Sequence, residues 1–113
     1  MTQATVNQTR DQRAVIVSWT LTDSENGNAP ELPFYSDRSV QVEGDFDTAT
    51  ITIEGSNDGT NYHPLTDPQG NALAFTSAGI EAISELTRYI RPSSGAGTGS
   101  VDVTISILMR GSF

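Results

Sequence analysis

The chain has 113 residues, enough for one domain with a real core and too few for two. It contains no cysteine, which excludes a disulfide framework and a Cys-based zinc site. Fourteen acidic residues against six arginines, with no lysine, give a net charge of −8, and such a surface repels phosphate and argues against nucleic-acid binding.

Hydrophobic residues form 35% of the chain and aromatics 7%, so the core must be a thin layer between two sheets. No apolar run approaches the ~18 residues that cross a bilayer, and the N-terminus shows no apolar signal-peptide core. The expected setting is therefore a cytosol, without a membrane partner.

Residues 1–13 are polar and aperiodic and predict a flexible arm, either a frayed lead-in or an arm that orders on a neighbouring subunit. The sequon at Asn7-Gln-Thr9 has no secretion signal to make it meaningful. A single sandwich domain is expected over 14–113. Ala14 to Thr22 is the first strand, with Val15, Val17, Trp19 and Leu21 on one face. Trp19 shares that face with three aliphatics, which places it in the core rather than against a sugar. A turn-rich loop follows, Asp23 to Pro30. Pro30 and Pro33 cannot donate to a ladder, so the segment they flank is at best an edge, with Phe34 or Tyr35 as an exposed anchor.

Ser39 to Gly44 is a short strand with Val40 and Val42 inward, and Phe46 caps the sandwich end. Thr48 to Leu65 is a hairpin. Ala49, Ile51 and Ile53 alternate with threonines, and Asn57-Asp-Gly59 reverses the chain. Thr66 to Asn71 is another turn and Ala72 to Thr76 a short strand. Ser77 to Thr87 mixes helical and alternating spacing and predicts an irregular loop or a single helical turn. Arg88 to Pro92 reads as a strand end, Ser93 to Ser100 as a flexible glycine-serine loop, and Val101 to Met109 as the most regular strand. The sum is an all-β, antiparallel sandwich, jelly-roll-like, of about seven or eight strands.

Catalytic and metal-ligating patterns are weak. His63 is the sole histidine, with no cysteine to activate and no second histidine to share a metal. No Gly-x-Ser-x-Gly elbow occurs. Asp45, Asp47 and Asp58 could approach one another as a carboxylate or calcium cluster, but all sit at turns, where aspartate serves the backbone. Ser94-Gly-Ala-Gly-Thr-Gly99 precedes a strand, whereas a phosphate cradle needs a helix. No enzyme activity, catalytic residue, metal or cofactor is expected.

Two resemblances arise. Ile51-Thr-Ile-Glu-Gly-Ser-Asn-Asp-Gly-Thr-Asn-Tyr62 is similar to the strand–turn–strand signature of discoidin-type (F5/8C) sugar- or lipid-binding sandwiches. Over Ser39 to Gly111 the layout resembles head decoration, or cement, proteins of tailed bacteriophages. That layout is the same hairpin, Leu65-Thr-Asp-Pro-Gln-Gly-Asn-Ala-Leu73, Arg88-Tyr-Ile-Arg-Pro92, a Gly/Ser loop and a final strand. This second resemblance implies a structural virion protein, made in the host cytoplasm, that binds the capsid's outer surface and reinforces it. The implied partners are the major capsid protein and further copies of the chain, a trimer before a dimer. Arg10, Arg13, Phe34, Tyr35 and Arg38 are the expected contacts. The alternative is a carbohydrate-binding module of a tail or adhesion protein, which would use Tyr35, Tyr62 and Tyr89.

Overall fold

The computed structural model describes the backbone at residues 2–4, 7–11, 14–33 and 35–111, and side chains at 14–33 and 35–111. Eleven strands follow one another among the described residues: β1 Thr2–Ala4, β2 Asn7–Asp11, β3 Ala14–Leu21, β4 Glu25–Gly27, β5 Tyr35–Asp45, β6 Ile51–Ser56, β7 His63–Pro64, β8 Ala74–Phe75, β9 Gly79–Ala82, β10 Tyr89–Ser94 and β11 Asp102–Gly111. One sheet runs β1-β4-β10-β6-β7, with β8 sharing the free edge of β6. The other runs β2-β3-β11-β5-β9. All pairings are antiparallel except β1 with β4. The chain is an antiparallel, jelly-roll-like β-sandwich.

Strict alternation builds the core. Val15, Val17, Trp19 and Leu21 of β3 face Val40 and Val42 of β5 and Val103, Ile105, Ile107 and Met109 of β11 along one sheet; Ile51, Ile53 and Ile90 line the other. Each such side chain contributes ~1.5–3 kcal/mol on leaving water. Trp19 lies in this layer as expected, and its Nε1 donates to the Asn28 carbonyl at 2.8 Å. Gly27 leaves room for the ring: a Cβ there would lie 2.6 Å from Trp19 Cδ1.

Several sequence expectations need correction. The strand count exceeds seven or eight because short edge strands carry no pattern of their own. Two of them, β1 and β2, lie in the segment expected as an arm, and they pair with β4 and β3. Residues 79–82 form β9 against β5 rather than an irregular loop or helical turn. The glycine-serine loop is tied down: Asp47 accepts from the backbone N–H of Thr98 at 2.7 Å and of Ser100 at 2.9 Å.

Asp45, Asp47 and Asp58 do not cluster. Asp45 and Asp47 precede β6 and Asp58 follows it, so the strand's length separates them. Asp58 serves its own turn, and Asp47 serves the glycine-serine loop some fifty residues away. Asp58 accepts from the backbone of Thr60 and Asn61, both at 2.8 Å, and Asp47 from the Thr98 hydroxyl at 2.6 Å. The Asn61 and Thr60 bonds hold the Asp58 carboxyl well below the usual range, and the Thr98 and Ser100 bonds lower that of Asp47. Because these folded-state values lie below the unfolded one, their stabilisation is complete above about pH 4 and fades as pH falls through the folded values. Melting curves on acidification should show a decline that is shallower for Asp58→Asn. An unchanged slope would mean that the loop bonds contribute nothing.

Candidate functional site

Among the described residues, three recesses gather around the segment Ile83 to Arg88. One of about 490 Å³ lies between that segment and the β6–β7 turn, lined by Gly55 to Asp58, Asn61, His63 to Leu65, Glu85 and Thr87. A second, about 390 Å³, is lined by Pro33, Asn57, Leu86, Thr87 and Arg88. A third, about 210 Å³, adds Ser36, Asp37, Arg38, Ile83 and Ser84. Shared residues make the three neighbours.

The hydrogen bonds here turn inward. Ser56 Oγ accepts from the N–H of Gly59 at 2.9 Å, and Asn57 Oδ1 accepts from the Arg88 N–H at 3.0 Å, which fastens the turn to the segment. Glu85 accepts from the N–H of Thr66 at 2.8 Å and from its hydroxyl. Burial raises the Glu85 pKa, but these bonds outweigh it and the net shift is downward. Arg88 pairs with Glu31. Exposed here are His63, Pro64 and Leu86 together with the polar Asn57, Asp58, Asn61, Ser84 and Arg88, and Pro33 is half-buried.

Two expected contact residues prove to be interior. Tyr35 is 4% exposed and Arg38 3%. The cause is a bulge: Arg110 pairs with Ser36 and Leu108 with Ser39, so β5 carries an extra residue there. Asp37, with φ of 51°, takes up the bend. Positions 35 and 38, three apart, thereby both face inward. Arg38 donates to the carbonyls of Tyr35, Leu32 and Thr87 at 3.1, 2.9 and 3.0 Å. Arg13 and Phe34 lie outside the described residues, as does the Arg10 side chain.

The alternative tyrosine set is divided likewise. Tyr35 is in the core, whereas Tyr62 and Tyr89 sit with Arg91 on the outer side of the six-stranded sheet. The Arg91 guanidinium lies 3.8 Å from the Tyr62 ring centroid and pairs with Glu54 at 3.0 Å, so one face of the ring is covered. Among the described residues no three His, Cys, Asp or Glu side chains group as a metal site requires, and His63 is exposed.

A second surface went unnoticed in the sequence. On the outer face of the five-stranded sheet, Ile16, Leu108 and Ile80 are 45%, 46% and 64% exposed. With Ser39, Gln41 and Ser106 they line a shallow groove of about 200 Å³. The signal available was an apolar residue at an outward position in an alternating strand, as at Ile16 and Leu108.

No family model matches the chain, and no curated protein matches it. Solved structures do. The SPBc2 prophage-derived protein YomS is 13% identical with a TM-score of 0.64, over 89% of this chain and 97% of that one. A cupin domain from Bordetella pertussis Tohama I is 10% identical with a TM-score of 0.52, over 97% and 95%. An RmlC-like cupin with a double-stranded β-helix fold, from Methanocaldococcus jannaschii, has the same two values over 96% and 80%. These similarities bear on the fold.

Proposed function

We propose that this chain is a non-enzymatic structural protein of a phage particle, which binds the outer surface of the assembled capsid and stabilises the shell. The carrying observation is that three neighbouring recesses lie on a rim where Glu85 and Asn57 bond within the fold, while the interior is filled with apolar side chains. Such a surface offers shape and apolar contact rather than a reaction centre. The fold shared nearly end to end with a prophage-derived protein supports the same reading.

The partner is the major capsid protein. Tyr35 and Arg38 leave the contact set because they are buried, and Leu86, Pro33 and Arg88 take their place beside Phe34. Arg10 and Arg13 stay in it. Weak single contacts suffice, because a repeating shell offers many sites and multivalent attachment multiplies them. The acidic remainder keeps a dense protein layer soluble.

Capsids lacking this protein, incubated with it at micromolar concentration and sedimented, should carry it down and resist heat better. Leu86→Asp should bind about tenfold more weakly or worse, since it replaces an apolar contact with a charge. Absence of co-sedimentation would overturn the proposal.

A further inference from the structure

The outer face of the five-stranded sheet is built in rows. Pairing registers place Ile16, Leu108, Ser39 and Ala82 in one row across β3, β11, β5 and β9, and Ser18, Ser106, Gln41 and Ile80 in the next. All eight side chains are uncharged, on a chain of net charge −8. Continued onto β2, the rows meet Thr9 and Asn7, also uncharged positions. Charge returns only beyond them. Arg110 stands at one end of the face, loosely held by Asp37 at 3.9 Å and in one row with the position of Asp11, and Glu43 and Asp102 stand at the other.

From this face we infer a homodimer: two copies pack these sheets against each other about a two-fold axis that lies in the interface, crosses the strands and passes between the two rows. Side-chain size selects that axis. It sets the first row of one copy on the second row of the other. Ile16 then covers the partner's Ser18, Leu108 covers Ser106, Ser39 meets Gln41 and Ala82 meets Ile80. Every larger side chain finds a smaller one, as an isologous interface requires. The small residues permit the ~10 Å approach of stacked sheets.

Charge selects the same axis. Crossing the strands, it brings Arg110 over Thr104, beside the partner's Glu43, at both ends of the interface. An axis parallel to the strands would instead oppose Arg110 to Arg110 and Leu108 to Leu108. Elsewhere the acidic surface repels a second copy; across these two uncharged rows it does not.

The four strands span a face of about 450 Å² per copy from strand spacing and rise, so the pair buries about 900 Å², the size of a weak, reversible interface. A dissociation constant of roughly ten micromolar is therefore expected, tight enough where copies crowd on a shell. The copies pair as a dimer, not as the trimer suggested by the resemblance, because one flat face closes on itself about a two-fold axis.

Sedimentation velocity of the full chain across micromolar to several hundred micromolar concentrations should show a monomer–dimer equilibrium. Leu108→Lys, at an already half-exposed position, should keep its circular dichroism melt and weaken the dimer by about a hundredfold. Arg110→Glu should weaken it about tenfold, and Glu43→Arg in the same chain should restore it. A wild type monomeric throughout, a trimer, or a dimer indifferent to Leu108→Lys would each overturn the inference. If the wild type is monomeric and Leu108→Lys instead abolishes capsid co-sedimentation, the face belongs to the capsid and the dimer is refuted while capsid binding stands. A dimer that binds no capsid refutes capsid binding and leaves the dimer standing.

Discussion

Arg38→Ala is expected to lower the stability of the folded chain by about 3 kcal/mol, read from urea denaturation with the m-value unchanged. The side chain is an interior cation that holds three carbonyls from three places in the chain: Leu32 and Tyr35 across the Pro-flanked turn, and Thr87 in the rim segment. Bonds from a charged donor contribute about 1.5–3 kcal/mol each, and a buried carbonyl left without a donor costs about 1–3. Against these stands the desolvation of the guanidinium. Burial lowers its pKa from 12.5 to about 10. With the folded value below the unfolded one, the unfolded chain holds the proton more firmly, and stability rises as pH climbs through that interval. At neutral pH the cation is thus retained at a cost that the three bonds must exceed. Arg38→Met removes both the charge and the bonds, and should fall between wild type and alanine. A neutral Arg38→Ala would show that these bonds only balance the desolvation. Since Thr87 and Leu86 are adjacent, the alanine variant should also loosen the rim and weaken capsid binding, whereas Leu86→Asp should weaken binding with stability intact.

What the sequence revealed and what it hid divide along a physical line. Val15 to Leu21, Ala49 to Ile53 and Val101 to Met109 alternate strictly, and every inward assignment in them is buried. Alternation reports one choice per residue, inward or outward, within an uninterrupted strand. It cannot follow a bulge, so the inward turn of Arg38 was invisible and a buried clamp passed for a contact residue. Nor does it report pairing partners. Asp47 holds a loop some fifty residues away, and Gly79 to Ala82 becomes a strand only because the β5 edge is there to receive it. The groove at Ile16, Leu108 and Ile80 lies across four strands that are far apart in the chain, and it appears only once their register is known. Core positions are properties of segments, whereas interaction surfaces are properties of rows that cross segments.

Gly44→Ala should be among the most damaging single changes, costing about 3–5 kcal/mol and lowering the melting temperature by roughly 15 °C or more. Gly44 has φ of +122°, a conformation that L residues rarely adopt. Space is lacking as well. A Cβ there would lie 2.3 Å from the Asp102 carbonyl oxygen and 2.9 Å from Val103 Cα. Both are backbone atoms of β11, the central strand, which pairs with β3 on one side and β5 on the other. Neither can give way without disturbing the pairing of Val103 with Leu21. Gly70 supplies the control. Its φ is +88°, yet nothing lies within 4 Å of the added carbon, so Gly70→Ala should show backbone strain alone, about 1–2 kcal/mol. The difference between the two thermal melts measures the crowding of β5 against β11. Equal melts would mean that the strands are not so closely apposed at this end. Glu43 adjoins Gly44 and forms one acidic end of the proposed dimer face, so a milder outcome in which Gly44→Ala folds should still displace Glu43 from Arg110 of the second copy. Such a variant would lose dimer affinity without any change to the apolar rows, and Arg110→Glu added to it should weaken the dimer no further.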